Sequence, residues 1–159
     1  MSTSKTAADH VRKRWGERAS KKATNVFAFN GDVLRLPGPL ESLEYIRKGF
    51  EFSSVHALAN HLGVGDTYVL SVIGVTGGTV ARRRQEKVLK PDESDRLYRL
   101  AKITSMAERV LESPVKAKGW LLRENRSLGG VAPFSILDTQ AGTDAVEDVL
   151  NRIEYGVFG

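Results

Sequence analysis

The stretch DTYVLSVIGVTGGTVARRRQEK, residues 66–87, decides how the chain folds. Asp66 is suited to cap a short helix through Ile73, Gly74 to end it in the left-handed conformation, and Thr76 to cap a second helix through about Lys87. Two short helices around a glycine turn make a helix-turn-helix. Val69, Leu70 and Ile73 are expected to face Val80 and Val88 in the angle between them, which leaves Arg82, Arg83, Arg84 and Lys87 pointing outwards. In this motif the second helix lies in the major groove, its early side chains touch base edges and its basic residues hold phosphates. DNA is therefore the expected partner of Thr76, Thr79, Arg82, Arg83, Arg84, Gln85 and Lys87. Gly77 and Gly78 occupy the first helical positions, offer no side chain for reading and cost roughly 1 kcal/mol each in helix propensity. Base readout then falls to Thr79, Arg82 and Gln85. The competing reading is a solvated, salt-bridged arginine face with Glu86 as partner.

Working outward, the chain from Pro39 is helical. Leu40, Leu43, Glu44, Ile46 and Phe50 mark a first helix ended by Gly49. Val55, Leu58, Ala59 and Leu62 share one face of a second, capped by Ser53 or Ser54. His56 and His61, five residues apart, do not share a helical face and read as surface or boundary histidines with no metal role. Gly63-Val64-Gly65 is followed by Tyr68 where a dinucleotide fingerprint needs a third glycine, so it reads as a helix junction. Downstream, Pro91, Asp92 and Glu93 suit the first turn of a longer helix. Leu97, Leu100, Ala101, Thr104, Ala107 and Leu111 form its core or seam stripe, and Asp95–Arg99 is an i, i+4 pair on its flank. Pro114 marks the boundary of a last module. There, helical periodicity through Trp120, Leu121 and Leu122, and again through Val146, Val149, Leu150 and Ile153, predicts two amphipathic helices. Gly129, Gly130 and Pro133 punctuate the connection between them.

Composition bounds the remaining possibilities. At 159 residues and 41% hydrophobic content the chain has material for one good core or two small ones. It has no cysteine, which excludes disulfides and thiolate metal sites. The longest nearly apolar stretch, Val69 to Val75, is too short to span a bilayer, and the charged N-terminus is unlike a signal peptide, so a cytoplasmic protein is expected. Residues 1–39 hold eight Lys/Arg against three Asp/Glu, residues 40–113 eleven against ten, and residues 114–159 five against six. The basic excess thus lies in the tail, where Lys5, Arg12, Lys13, Arg14, Arg18, Lys21 and Lys22 stand among small and polar residues. Such a segment reads as a flexible, solvated arm, or as an electrostatic contact with nucleic acid. Alternation from Val26 to Leu36 leaves room for part of it to order against a partner or a second subunit. Scattered histidines and the absence of a serine in a nucleophile context argue against an enzyme and against a cofactor.

These residues also carry a resemblance. Thr79-Val80-Ala81-Arg82-Arg83, Leu89, Glu93-Ser94-Asp95-Arg96-Leu97, Arg99-Leu100-Ala101, Ala117, Trp120-Leu121, Asn125, Leu128-Gly129-Gly130, Pro133, Gly142, Val146, Leu150 and Ile153 to Gly156 are similar to the Xre/ParS/MbcA antitoxins. The likeness runs from about residue 40 to the C-terminus. It implies an all-α antitoxin of a type II toxin–antitoxin pair: a flexible arm (1–39), an Xre-like helix-turn-helix domain (40–113) and a small helical toxin-binding domain (114–159). The usual toxin in the family is a RES-domain protein that depletes NAD. The resemblance assigns toxin contact to the segment around Trp120, Gly129, Gly130 and Pro133 and to the final helix and tail. On physical grounds Trp120 is a better core anchor than hot spot, and the glycines shape a turn. The loop Arg123 to Ser127, including Asn125 and Arg126, and the uncharged terminus Tyr155-Gly156-Val157-Phe158-Gly159 are the expected direct contacts. A homodimer is expected because paired helix-turn-helix units read paired half-sites. The alternative is a stand-alone transcriptional regulator whose C-terminal module dimerises or binds an effector.

Overall fold

The structure, a computed structural model, describes residues 27–30 and 33–156. The basic residues from Lys5 to Lys22, and Val157 and Phe158, lie outside the described residues. A short antiparallel hairpin, β1 (Ala28–Asn30) and β2 (Val33–Arg35), is followed by helices α1 (Pro39–Lys48), α2 (Ser53–Leu62), α3 (Asp66–Val72), α4 (Gly78–Glu86), α5 (Pro91–Val110) and α6 (Pro114–Leu122). Two 3-10 turns, Arg126–Leu128 and Pro133–Ile136, lead into α7 (Gln140–Glu154). The architecture is helical as the periodicity predicts, with the hairpin as an addition. Phe29 registers opposite Leu34, and Leu34 and Phe27 are buried, Phe27 edge-on to Phe50 at 5.9 Å. Phe27 and Leu34 therefore pack on the body, departing from a flexible arm that reaches residue 39.

The helix α5 organises everything else. Its first turn has Pro91, Asp92 and Glu93, and the Glu93 carboxylate accepts the Lys90 N–H (2.9 Å), which satisfies a donor that a helix start leaves open. Leu97, Leu100, Ala101, Thr104 and Ala107 are buried as the stripe predicts, and Ile103 is buried as well, so neighbours cover more of the helix than one stripe. α1, α6, α7 and β2 all pack on it. The stripe is core within one chain.

Polar side chains of α5 fix where those neighbours sit. Ser94 is buried, and its hydroxyl accepts the Phe50 N–H (2.8 Å). Arg96 donates to the Ile73 carbonyl (3.1 Å) at the end of α3, where a cation also complements the helix dipole. The buried Glu108 carboxylate accepts the Leu34 N–H (2.9 Å) and pairs with His61 of α2. His61 is thus not an ordinary surface histidine, because Glu108 and the Phe29 ring, 5.0 Å between centroids, enclose it. On the outer side Arg99 pairs with Asp95 as expected (3.5 Å), Lys102 reaches Glu147 of α7 (3.4 Å) and Arg109 reaches Glu154. The last two pairs and an Arg99–Gln140 hydrogen bond (3.2 Å) set α7 parallel to α5.

One core runs across position 113. Leu58, Leu70, Leu97, Leu121, Phe134, Val146 and Leu150 belong to a single buried cluster, and Tyr68 lies against Phe134 at 5.4 Å. Pro114 breaks the helix there without breaking the core. The apolar stripe of α1 behaves differently: Leu40 is 83% exposed and Leu43 is also exposed, because α1 meets α5 through Ser42, Tyr45 and Ile46.

Gly142 in the first turn of α7 gives a test of packing against propensity. A helix prefers alanine to glycine by about 1 kcal/mol, but a Cβ at this position would run into the Ile136 carbonyl oxygen. Gly142→Ala is expected to lower stability by roughly 1–3 kcal/mol, as overpacking does. Thermal or urea unfolding that shows stabilisation instead would mean the Pro133–Ile136 turn does not sit where the structure places it.

Candidate functional site

The helix-turn-helix forms where the sequence predicts it, with shifted caps. α3 begins at Asp66 with Gly65 as its cap and ends at Val72; Gly74 takes φ 79 and the Val75 N–H returns to the Leu70 carbonyl (2.9 Å). Gly77, at φ 58, is the residue before α4, and no side chain caps that helix. Thr76 is therefore not a side-chain cap: it is exposed, and its backbone carbonyl accepts the Thr79 N–H (3.3 Å). Val80 packs inward, but Val88 does not fill the interhelical angle. It is exposed, in an isolated antiparallel bridge with Glu51.

The outward face of α4 is set by spacing. Gly78, Arg82 and Gln85, four and three residues apart, line one exposed ridge. Arg84 is exposed beside it, with its guanidinium 5.7 Å from the Phe52 ring centroid. Thr79 is half-buried, and Lys87 is exposed with a left-handed backbone (φ 62) just past the last turn.

Arg83 does not belong to that face. It is 3% exposed, with Nε to Glu93 Oε2 at 2.8 Å, Nη2 to Glu93 Oε1 at 2.9 Å, and Nη1 to Glu86 Oε2 at 3.2 Å. The reason is helical phase: Arg83 follows Thr79 and Val80 on the packed side, where a buried cation requires a fork of acceptors. Its two carboxylates thus replace the expected phosphate contact. Burial by itself would raise the Glu93 pKa, but the Arg83 hydrogen bonds and the Lys90 N–H outweigh it and hold the carboxyl below its ordinary value. The bond to Glu93 likewise raises the Arg83 guanidinium above its own. This bidentate contact fixes α4 against α5, so Arg83 positions the residues that face outwards.

The C-terminal site residues divide into framework and surface. Trp120 is half-buried against the core, and Pro133 is buried at the start of its 3-10 turn. Asn125 accepts the Ser127 N–H on Oδ1 (2.9 Å), accepts the Gly130 N–H on its carbonyl (2.9 Å), and donates its own N–H to the Val131 carbonyl (3.0 Å). Gly129 and Gly130 have φ 73 and 85 with open space where a Cβ would be, so the backbone, not crowding, favours glycine there. Arg123, Arg126 and Ser127 are exposed, and Tyr155 is 75% exposed after the last turn of α7, followed by Gly156 at φ 65. Periodicity did not single out Val115, 77% exposed on α6, or Val131, also exposed on the loop. Neither lies in an alternating or helical apolar pattern. His56 pairs with Asp66 (3.0 Å) on the surface, and among the described residues no group of three or more metal-ligating side chains converges.

A helix-turn-helix with Arg82, Arg84 and Gln85 facing outwards, joined through one long helix to a glycine-turned helical module, defines a two-part helix-turn-helix protein. Comparison with known proteins makes the class specific. Residues 41–102 match the antitoxin Xre-like helix-turn-helix domain, and residues 106–156 match the antitoxin Xre/MbcA/ParS C-terminal toxin-binding domain. The chain is 30% identical to "Antitoxin Xre" of Photorhabdus laumondii over 70% of its own length and 77% of that protein's. It is 43% identical to "Antitoxin Xre" of Pseudomonas putida, where the match spans 48%, about half, of each chain. It is also 26% identical to the "Prs ADP-ribosylating antitoxin" of a Sphingobium species over 89% of this chain and 94% of that one. The chain belongs to the Xre/MbcA/ParS antitoxin family.

The buried pair gives a pH prediction. A carboxyl whose pKa is depressed by folding contributes stability above its unfolded value and loses it as pH falls through the folded value. Glu93→Gln is expected to lower the unfolding midpoint at neutral pH, with the gap to the parent narrowing as pH falls through and below the ordinary Glu value of about 4.3. Replacing both partners, Arg83→Met with Glu93→Leu, recovers much of the stability because neither charge is left unpaired. Calorimetric unfolding of the parent and both variants across pH checks this; a gap that widened in acid would contradict the pairing.

Proposed function

We propose that the protein is the antitoxin of a type II pair, binding its toxin through residues 114–159 and the DNA of its own promoter through α4 in the 40–113 domain. The observation that carries this reading is the tiling of the chain by a DNA-binding and a toxin-binding family domain, each with exposed side chains directed away from a common core. No helix among the described residues is long and apolar enough to cross a membrane. The protein acts by binding in the cytoplasm, not by catalysis.

The toxin we propose is one that consumes NAD. RES-domain toxins of the resembled systems deplete it, and the ADP-ribosylation in the Sphingobium relative's name is a reaction that consumes it too. The C-terminal module then works sterically, with the exposed loop Arg123 to Ser127 at the mouth of the toxin's cleft and the terminus from Tyr155 inside part of it. Three-quarters exposure of a tyrosine at a helix end supports this docking role. On the DNA side, Arg82 and Gln85 read bases with Thr79 beside them, Arg84 holds phosphate, Lys87 lies at the DNA-facing surface just past the last turn, and Thr76 stands at the entry. Two copies bind paired half-sites.

Two measurements test these halves separately. Deletion of residues 155–159 is expected to abolish neutralisation when toxin and antitoxin are co-expressed; growth equal to that with the full chain would remove the plug. Arg82→Ala with Arg84→Ala is expected to weaken promoter binding and reduce the slope of log K against log salt, by about 0.9 for each phosphate that is no longer neutralised. An unchanged mobility-shift titration would remove DNA contact by α4.

A further inference from the structure

The basic side chains fall into two populations. Those along α5 are matched: Arg96 lies by Asp92, Arg99 by Asp95, Lys102 by Glu147 and Arg109 by Glu154. Arg47, Lys48, Arg84, Lys87 and Lys90 are all exposed, and none of them takes part in any of the ion pairs among the described residues.

Other cations, Arg82, Arg123 and Arg126 among them, likewise take no part in those ion pairs, but a backbone bridge gathers these five from distant parts of the sequence. Leu89 donates its N–H to the Phe50 carbonyl (2.8 Å), Phe52 donates to the Lys87 carbonyl (3.0 Å), and Glu51 pairs antiparallel with Val88. That register sets Gly49 against the 89–90 backbone, so closely that a Cβ on Gly49, at φ 87, would strike the Leu89 carbonyl oxygen. The last residues of α1, Arg47 and Lys48, arrive directly before this contact. Lys87 and Lys90 flank it from the other strand, and Arg84 sits over Phe52 beside it. Of the nearby carboxylates, Glu86 is held by Arg83 and Glu93 lies between Arg83 and Lys90, while Glu51, with only a long contact to the Ser53 hydroxyl (3.4 Å), keeps its charge within the bridge. Lys87 moreover occupies a left-handed position that the backbone alone would give to glycine or asparagine. The exposed cations about the bridge outnumber its carboxylates, and a regular polyanion complements such an excess.

We propose that this bridge-built cluster, Arg47, Lys48, Lys87 and Lys90, is a second nucleic-acid contact that holds the phosphate backbone beside the groove entered by α4. The contact is independent of sequence: it supplies affinity and register, and α4 supplies the reading. The inference rests on the DNA-binding role of α4, and the experiment separates the two.

Binding of the full chain to a duplex from upstream of its own gene, and to a scrambled duplex of equal length, is measured by fluorescence anisotropy across a salt series. The parent is compared with Arg47→Gln/Lys48→Gln, Lys87→Asn/Lys90→Gln and Arg82→Ala/Arg84→Ala, with folding checked by circular dichroism. Each bridge double variant is expected to lower the salt slope by about 1.8, two phosphates at about 0.9 each, and to weaken both duplexes by the same factor. Unchanged slopes for the bridge variants, with weakened binding by the α4 variant, would overturn the second contact and leave α4 as the DNA element. Bridge variants that keep the parental slope but fail to co-purify with the toxin would assign the cluster to a protein contact and overturn it equally. A parent that binds neither duplex would overturn both readings.

Discussion

The hairpin, the helix-turn-helix and the segment at Phe50 are placed by polar side chains of α5, three of them buried and Arg96 half-buried. An apolar stripe alone would hold neighbours by area, and area is non-directional. Glu93, Ser94, Arg96 and Glu108 add direction: they hold α4, the extended segment at Phe50, the end of α3, and β2 together with α2. A misplaced neighbour would leave a buried donor or acceptor unpaired, at a cost of about 1–3 kcal/mol for each group and more for a charge. The helix therefore specifies one arrangement of its partners.

That arrangement makes one rigid core serve two outward surfaces. Arg83 is held inside, and by its fork to Glu93 it fixes the phase of α4, leaving Arg82, Arg84 and Gln85 outside. On the other side of position 113, the loop of Asn125 to Val131 is closed by its own backbone bonds and the residues between are held on the surface. The apolar cluster continuous through Leu97, Leu121, Phe134 and Leu150 joins the two ends. The two surfaces thus share a scaffold without sharing residues. The same logic sorts the cations: carboxylates neutralise those that build the scaffold, and those around α4 and the Glu51–Val88 bridge stay exposed at the surface.

Much of this was legible in the chain. Glycines at 49, 74 and 77, prolines at 91 and 114, and stripes at helical spacing locate the helices to within a few residues, because caps and periodicity are local properties. The family motifs likewise lie in sequence order. The role of Arg83 was not legible: among three consecutive arginines nothing local tells which faces inwards, and Glu93 lies beyond a helix end. Nor was the exposure of Leu40 and Leu43, since an apolar stripe does not say how much of it a partner helix will cover.

By itself, then, the sequence determined the class of fold, the positions of the helices, the helix-turn-helix and the family, all of which follow from local backbone preference and the order of motifs. Only the tertiary structure decided which cations are scaffold and which are surface. It also decided that Phe27 and Leu34 pack on the body, and that the ends of α1 and α4 meet across an extended bridge. The physical reason is range: a cap is satisfied within a few residues, whereas a buried charge or an unpaired strand is satisfied by whatever the fold brings to it from far along the chain.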